Sequence, residues 1–301
     1  MEELKRNIVF EINGGIGKSI AATATLSVLR KKYPKAEYQI IVLSGYPDVF
    51  INSPDVDMSF AMGGEQYFWT KYMDVPNKDT IWFGQEPYKD SEHKYKREHL
   101  NQTWCRLCGV EYNGEQPVFT VKEREIDFYK LKYHTEKPIL LMQTNGGASN
   151  QEIKYSWARD IPFHVGQAIV DEFKNEYSIV HVRREDQPTY EGTITLTDNV
   201  KGLGVIIGLS AKRLFMDSCC QHLAAAMKKP STVCWIVNSP KVFGYELHDN
   251  ILANEFTAKG DLRFSIETEY NIGGALHEFP YIQEKDIFDI DKIIASIKAQ
   301  K

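Results

Sequence analysis

The chain has 301 residues, of which 43% are hydrophobic and 26% charged, and its net charge is −5. This length fits two globular domains, and the charge excludes a general positive field that would draw the protein to nucleic acid or anionic membranes. Five cysteines in two close pairs and one single position do not resemble a secreted disulfide framework, so we expect a cytoplasmic protein. No apolar run reaches the ~18 residues of a transmembrane segment, and the charged N-terminus does not resemble a signal peptide.

The first predicted α/β unit begins with an apolar strand at residues 7–12, followed by a glycine turn at residues 13–17. Residues 19–33 predict a helix, because this Ala- and Leu-rich stretch ends in three basic residues and is stopped by Pro34. Residues 38–43 predict the next strand. This order of strand, glycine turn, helix and strand is typical of a parallel sheet.

A second α/β unit starts near residue 137. We predict strands at residues 138–143, 178–182, 213–216 and 232–237, helices at 162–174 and 219–228, and a last amphipathic helix at 289–301. The fold class is therefore α/β, with two Rossmann-like domains at residues 1–135 and 136–301. The prediction leaves open whether the last helix packs back against the first domain.

The glycine turn permits more than one interpretation. It reads Asn13-Gly14-Gly15-Ile16-Gly17-Lys18-Ser19, and its end matches a phosphate-binding P-loop. That pattern requires a first glycine at position 12, where this chain has an isoleucine. A P-loop ATPase is therefore an alternative, and so is a tight strand-to-helix turn without a ligand.

Two ordered matches, about 160 residues apart, give the chain a resemblance to a known family. The first is the stretch at residues 21–36, which contains most of the predicted helix and the basic-Tyr-Pro turn that ends it, and the strand at 40–42, followed by the turn Asn52-Ser53-Pro54-Asp55-Val56-Asp57. The second is an Asp217-Ser218 turn, a helix containing His222-Leu223-Ala224, and Pro230 before the next strand. Together they resemble heptosyltransferase-like (family 9) glycosyltransferases of the GT-B fold.

The resemblance implies an enzyme that transfers a sugar from a nucleotide diphosphate-sugar to a hydroxyl group, with inversion and without a metal or another cofactor. The acceptor would be a glycan such as lipopolysaccharide, or a hydroxymethylated base of DNA. The acceptor would lie against the glycine turn, at Asn13, Gly14, Gly15 and Gly17. The donor would be bound in the second domain by Thr144, Lys154, Glu185, Asp217, Ser218, Cys219, Cys220 and His222.

The second match also makes physical sense without the family. A predicted strand ends at Met216, and Asp217 and Ser218 are residue types that cap a following helix. The free backbone amides at the start of that helix, at Cys219 and Cys220, would face the carboxyl edge of a parallel sheet. Amides and the helix dipole there favour a diphosphate, and they stabilise the charge that develops as the sugar leaves.

The chain departs from the family at Lys18, where the family has the aspartate that is assigned as the catalytic base. A lysine is ordinarily a cation and a poor base. The catalytic candidates are therefore Lys18 itself and, from the charged stretch 86–99, His93 or Glu98. That stretch is also interpretable as the solvated face of a helix. Without any base, the chain would be a non-catalytic nucleotide-sugar-binding protein.

Overall fold

The computed structural model describes residues 5–76, 79–95, 97–146, 156–255, 279 and 281–301. In this part of the chain two parallel β-sheets form, one in each half, with helices packed against them. The predicted α/β architecture of two Rossmann-like domains is confirmed.

The first sheet is built around a buried central strand. Its elements are β1 (Arg6–Ile12), α1 (Ile16–Lys32), β2 (Tyr38–Ser44), β3 (Met58–Ala61) and β4 (Thr80–Phe83). The strands are parallel, in the order β3-β2-β1-β4. Alternate residues of β1, Ile8, Phe10 and Ile12, are fully buried in one cluster with the apolar side of α1. Helix α1 ends in three basic residues, which the negative end of its dipole favours.

Three helices follow β4, namely α2 (Ser91–Lys94), α3 (Leu100–Leu107) and α4 (Glu123–Lys132). The buried Trp104 of α3 packs on Phe10 of β1, with ring centroids 5.5 Å apart. The sequence stretch 86–99 is therefore not a single exposed helix. It forms a short turn and the four-residue α2, and the side chain of His93 is buried in the interior.

The second sheet has six parallel strands in the order β10-β9-β8-β5-β6-β7. Its strands are β5 (Ile139–Gln143), β6 (Ser178–Val182), β7 (Ile194–Leu196), β8 (Lys212–Met216), β9 (Thr232–Trp235) and β10 (Asp249–Leu252). Its helices are α5 (Phe163–Phe173), α6 (Val200–Leu209), α7 (Cys219–Ala226), α8 (Pro240–Phe243) and α9 (Ile290–Ala299). All five residues of β5 are buried, as expected for a central strand covered on both faces.

The two halves share one hydrophobic core, because α1 packs directly against α7. A buried cation also joins them: the Lys201 ammonium of α6 donates to the carbonyl oxygens of Ile51 (3.0 Å) and Thr120 (2.8 Å). It lies 4.4 Å from the centre of the Phe119 ring, and burial lowers the pKa of this lysine. Helix α4 packs on α6 and so lies against the second half, although it precedes the predicted boundary at residue 135.

The last helix, α9, does not return to the first domain. It packs on α5 and on β8, β9 and β10. Ser296 shares a hydrogen bond with Thr232 of β9 (2.7 Å). The apolar side of α9, with Ile293 and Ile297, fills the second hydrophobic cluster, which covers the face of the second sheet away from α7.

Candidate active site

The candidate site lies where the turn after β1 meets the turn after β8. A Cβ atom placed on Gly17 would lie 3.0 Å from Cδ2 of His222 and 3.3 Å from Cα of Cys219. The glycine therefore lets the start of α1 approach the start of α7 backbone to backbone. The predicted acceptor turn and the predicted donor turn are brought together in one place.

The turn after β1 is open to solvent at Asn13, Gly14 and Gly15. Gly14 has a φ of 115°, which a residue with a side chain rarely adopts. A Cβ atom there would also lie 3.1 Å from Cδ of Lys18, so the glycine leaves space for the lysine side chain. Gly15 precedes α1 as its N-cap and provides no side chain to cap the helix.

Lys18 is buried at the start of α1, with 6% of its surface exposed. Its ammonium forms an ion pair with the carboxylate of Glu86. It also lies 4.4 Å from the ring centre of Tyr88 and 5.5 Å from that of Trp104. The positive charge is thus matched by a carboxylate of its own domain.

His93 lies near this ion pair, behind the ring of Tyr88. The two rings stack with centroids 5.0 Å apart, and Phe243 packs edge-on against the histidine at 5.2 Å. Burial, reinforced by the charge of Lys18, lowers the pKa of His93 to about 4. Only 2% of the residue is exposed, and neither ring nitrogen has a hydrogen-bond partner within the described residues.

Glu98, the other candidate base, is engaged elsewhere. Its carboxylate accepts from Arg106 at 2.9 Å and from the hydroxyl of Thr103 at 3.0 Å. Arg106 also pairs with Asp90. This network fixes the segment between α2 and α3 and leaves Glu98 with a structural partner for each oxygen.

The turn after β8 corrects one prediction, since neither Asp217 nor Ser218 caps α7. The Asp217 carboxylate accepts a hydrogen bond from the side-chain amide of Asn238, and the Ser218 hydroxyl donates to the side-chain oxygen of Gln143. Burial raises the pKa of Asp217. Both side chains bind neighbouring loops and strands of the second sheet, and the first amides of α7 have no side-chain acceptor among the described residues.

Two thiols begin α7. Cys220 is fully buried, and its pKa is raised well above the usual range by its hydrogen bond to Cys219 and by burial. Cys219 is partly exposed, and the same hydrogen bond lowers its pKa, with further contributions from Gln143 and from the charge of Arg159. The positive end of the helix dipole acts in the same direction on the Cys219 thiol.

His222 lies one turn further into α7 and is neutral. Burial lowers its pKa to about 3. The side-chain amide of Gln221 donates to Nε2 (3.1 Å), so Nδ1 carries the hydrogen and donates to the hydroxyl of Tyr245 (2.8 Å). The ring is thus held in one orientation, with its Cδ2 edge against Gly17.

Arg159 is a site residue that the sequence did not reveal. Its Nε donates to the carbonyl oxygen of Asp217 at 2.9 Å, and its guanidinium occupies the space that a side chain at Gly146 would fill. Its charge contributes to the lowered pKa values of both Cys219 and His222. Arg159 therefore places a positive charge at the start of α7, but a single arginine between a turn and a helix carries no recognisable sequence signal.

Three predicted donor-binding residues remain, namely Thr144, Glu185 and Lys154. Thr144 is fully buried, and its hydroxyl donates to the side chain of Asn145 (2.8 Å) and lies 3.0 Å from Nε2 of His181. Glu185 is exposed in the loop after β6. Lys154 falls outside the described residues, so its predicted role stays a prediction.

Among the described residues, no three His, Cys, Asp or Glu side chains cluster in a way that could hold a metal ion. In the same part of the chain, no helix is both long enough and apolar enough to cross a membrane.

Comparison with known proteins identifies the fold. No protein-family model matches the sequence, and no curated protein sequence matches it. Solved structures do match over nearly the whole chain. A glycosyltransferase of family 9 from Veillonella parvula has a TM-score of 0.64 at 13% identity, covering 99% of this chain and 97% of its own.

Two further structures are similar. The ADP-heptose lipopolysaccharide heptosyltransferase II of E. coli has a TM-score of 0.61 at 12% identity, covering 97% of this chain and 98% of its own. The dodecameric iron-containing heptosyltransferase TibC, in complex with ADP-D-beta-D-heptose, has a TM-score of 0.64 at 11% identity, covering 98% and 76%. The predicted GT-B fold, and the resemblance in fold to family 9 glycosyltransferases, are confirmed.

Proposed function

We propose that the protein is a glycosyltransferase that moves a sugar from a nucleotide diphosphate-sugar to an acceptor hydroxyl, with inversion. The observation that carries the proposal is the start of α7. Its uncapped amides lie beside Arg159, and they face the glycine turn of the other domain. The similar structures support the same conclusion, because one of them holds ADP-heptose.

In this proposal the diphosphate of the donor lies against the amides of Cys219 and Cys220. The helix dipole and the charge of the Arg159 guanidinium balance its negative charge. When the bond to the sugar breaks, charge builds on the leaving phosphate, and donors that are already in position stabilise that charge. Because protein groups supply this stabilisation, we propose that transfer does not require a metal.

His222 has a supporting role in this proposal. It stays neutral because its pKa is about 3, so it adds no charge of its own to the site. Its hydrogen bond to Tyr245 fixes the first turn of α7 and therefore the direction of the amides. Asp217 and Ser218 act in the same way through Asn238 and Gln143. His222, Asp217 and Ser218 thus position the backbone that binds the donor.

The acceptor is proposed to lie in the first domain, against the turn at residues 13–17. A glycan hydroxyl is favoured over a hydroxymethylated base of DNA, because the net charge of −5 provides no general attraction for a phosphate backbone. A matched assay with a glycan and with hydroxymethylated duplex DNA separates the two acceptors.

Calorimetry with ADP, UDP and GDP tests the donor site. We expect one of them to bind, and Arg159→Met to weaken it about 10- to 100-fold, because a charge-assisted hydrogen bond contributes about 1.5–3 kcal/mol. Arg6→Met is the matched control, since Arg6 pairs with Asp79 at the opposite end of β1. Equal affinity in wild type and Arg159→Met would contradict the site. Hydrolysis of ATP that is lost in Lys18→Ala would instead support a P-loop ATPase.

A further inference from the structure

The turn between β4 and α2 carries a carboxylate with an unusual environment. Glu86 precedes a short helical turn, and its Oε1 accepts from the backbone amide of Tyr88 (3.1 Å) and from the buried ammonium of Lys18. Within the described residues its Oε2 accepts no hydrogen bond. About a quarter of the side chain, 24%, is exposed to solvent. One oxygen is therefore anchored, and part of the side chain is in contact with solvent.

We propose that Glu86 accepts the proton of the acceptor hydroxyl, and that Lys18 positions it. This inference rests on the proposed function. It assigns the catalytic base, which the sequence left undecided because Lys18 stands where the family has an aspartate. In the step, the O–H proton passes to Oε2 of Glu86 while the hydroxyl oxygen bonds to the anomeric carbon. The bond from that carbon to the phosphate oxygen breaks, and its electron pair leaves on the nucleoside diphosphate.

The position of the pair relative to α7 supports this role. Lys18 follows Gly17 directly, and Gly17 contacts Cys219 and His222. Since consecutive Cα atoms are about 3.8 Å apart and a lysine side chain adds roughly 6 Å, the ion pair lies within reach of the turn that meets α7.

The other candidate bases are less suitable. His93 is 2% exposed behind Tyr88, so an acceptor hydroxyl has no access to its nitrogens. Glu98 has both oxygens engaged by Arg106. An ammonium that donates to Glu86 cannot itself accept a proton, which excludes Lys18. The pairing instead fixes the direction of the Glu86 carboxylate.

The geometry also indicates what kind of acceptor group binds. Glu86 presents negative charge, and the nearby cation of Lys18 is already paired with it. The pair has no net charge with which to attract an anionic group, so we expect the reacting hydroxyl to belong to an uncharged part of the acceptor, such as the ring of a neutral sugar.

The test measures nucleotide release from ADP-heptose, UDP-glucose and GDP-mannose, with water as the acceptor. We expect Glu86→Gln to lower the rate about 10²- to 10⁴-fold while the Kd of the nucleotide changes less than about twofold. Glu65→Gln is the control, because Glu65 forms a similar ion pair with Lys71 in the same domain. A rate in Glu86→Gln close to that of wild type would overturn the proposal. No release by wild type from any of the three donors would contradict the proposed function instead.

Glu86→Gln leaves a buried cation without its partner, so a second variant guards against misfolding. The double variant Lys18→Met/Glu86→Gln removes both charges, and its thermal unfolding and nucleotide affinity report whether it folds. If Lys18 acts through Glu86, the double variant loses no more rate than Glu86→Gln alone. Additive losses would show that Lys18 has a separate role, and a double variant with the wild-type rate would overturn the assignment of Glu86.

Discussion

The two turns that meet at the site are built in opposite ways. The turn after β8 is buried, and its side chains bind neighbours in their own sheet, Asp217 with Asn238 and Ser218 with Gln143. The turn after β1 is exposed, and the charged group beside it is the Lys18–Glu86 pair. Binding a permanent charge requires fixed dipoles, whereas moving a proton requires an accessible ionisable group. Each turn has the construction that its proposed task needs.

Lowering the pH should have the largest effect, and it tests whether the stability of the second half depends on buried side chains that carry no charge. Burial lowers the pKa of five histidines to about 3 or 4, below the ordinary value of 6.5. Their contribution to stability is therefore complete above pH 6.5 and is lost as the pH falls from 6.5 towards 4. The five are His93 and His99 in the first domain and His181, His222 and His248 in the second.

At pH 5.5 each of these histidines costs on the order of 1 kcal/mol, so the free energy of unfolding should fall by several kcal/mol between pH 7.5 and 5.5. Asp160 and Asp217, whose pKa values are raised by burial, act in the opposite direction and reduce the total. Urea denaturation at the two pH values measures the loss. Amide exchange should show more opening in β5–β10 than in β1–β4, and equal stability at both pH values would mean that the histidines are not buried as neutral groups.

The contact between the turns is tested at Gly17. In Gly17→Ala the new methyl group would meet Cα of Cys219 at 3.3 Å, and a backbone atom cannot rotate away. We expect sugar transfer to fall by roughly 10- to 100-fold, because small misplacements at a reacting centre have effects of that size. Stability should change little, since alanine favours the helix by about 1 kcal/mol over glycine.

Gly45→Ala is the matched control for Gly17→Ala, because Gly45 follows β2 and lies outside the turn at residues 13–17. A Cβ at Gly45 meets nothing within 4 Å, so transfer should continue at nearly the wild-type rate. If both variants are equally active, the close approach of the two turns has no part in the reaction.

His93→Phe should have the smallest effect, and it sharpens the assignment of the base in the first half. The two ring nitrogens of His93 lack partners, so replacing the ring by phenyl should alter stability by less than about 1 kcal/mol. Transfer should change less than about threefold, a small energy on the scale of catalytic groups. A 100-fold loss of the transfer rate would indicate that His93, and not Glu86, is the catalytic base.

Much of the fold could be predicted because its central elements have strong local signals. Strands β1, β5 and β8 are apolar runs, and α1 has both its glycine turn and its basic end in the sequence. Helix α6 was missed since it is apolar on all sides and contains glycines, which give no helical period. Its Gly204 is required by tertiary packing, because a Cβ there would lie 2.6 Å from the ring of Phe119. The short strands β3 and β4 are only partly buried and have no clear alternation.

For the candidate site, the sequence predicted the positions of the main-chain elements better than the contacts of the side chains. The sequence placed the two turns correctly, because strand ends and helix starts are local features. It could not show that Asp217 and Ser218 bind Asn238 and Gln143, which are 21 and 75 residues away, instead of capping α7. The ion pair of Lys18 with Glu86 spans 68 residues and was missed for the same reason.

The approach of Gly17 to Cys219 has a consequence for the order of events in a catalytic cycle. Atoms of the main chain have no alternative rotamers, so this contact cannot be relieved by a swinging side chain. A nucleotide-sugar can then enter between the two turns only if the main chain of one turn moves away from the other, and spent nucleotide leaves by the same movement. That movement would then belong to every turnover, and in many enzymes an opening step of this kind limits the rate.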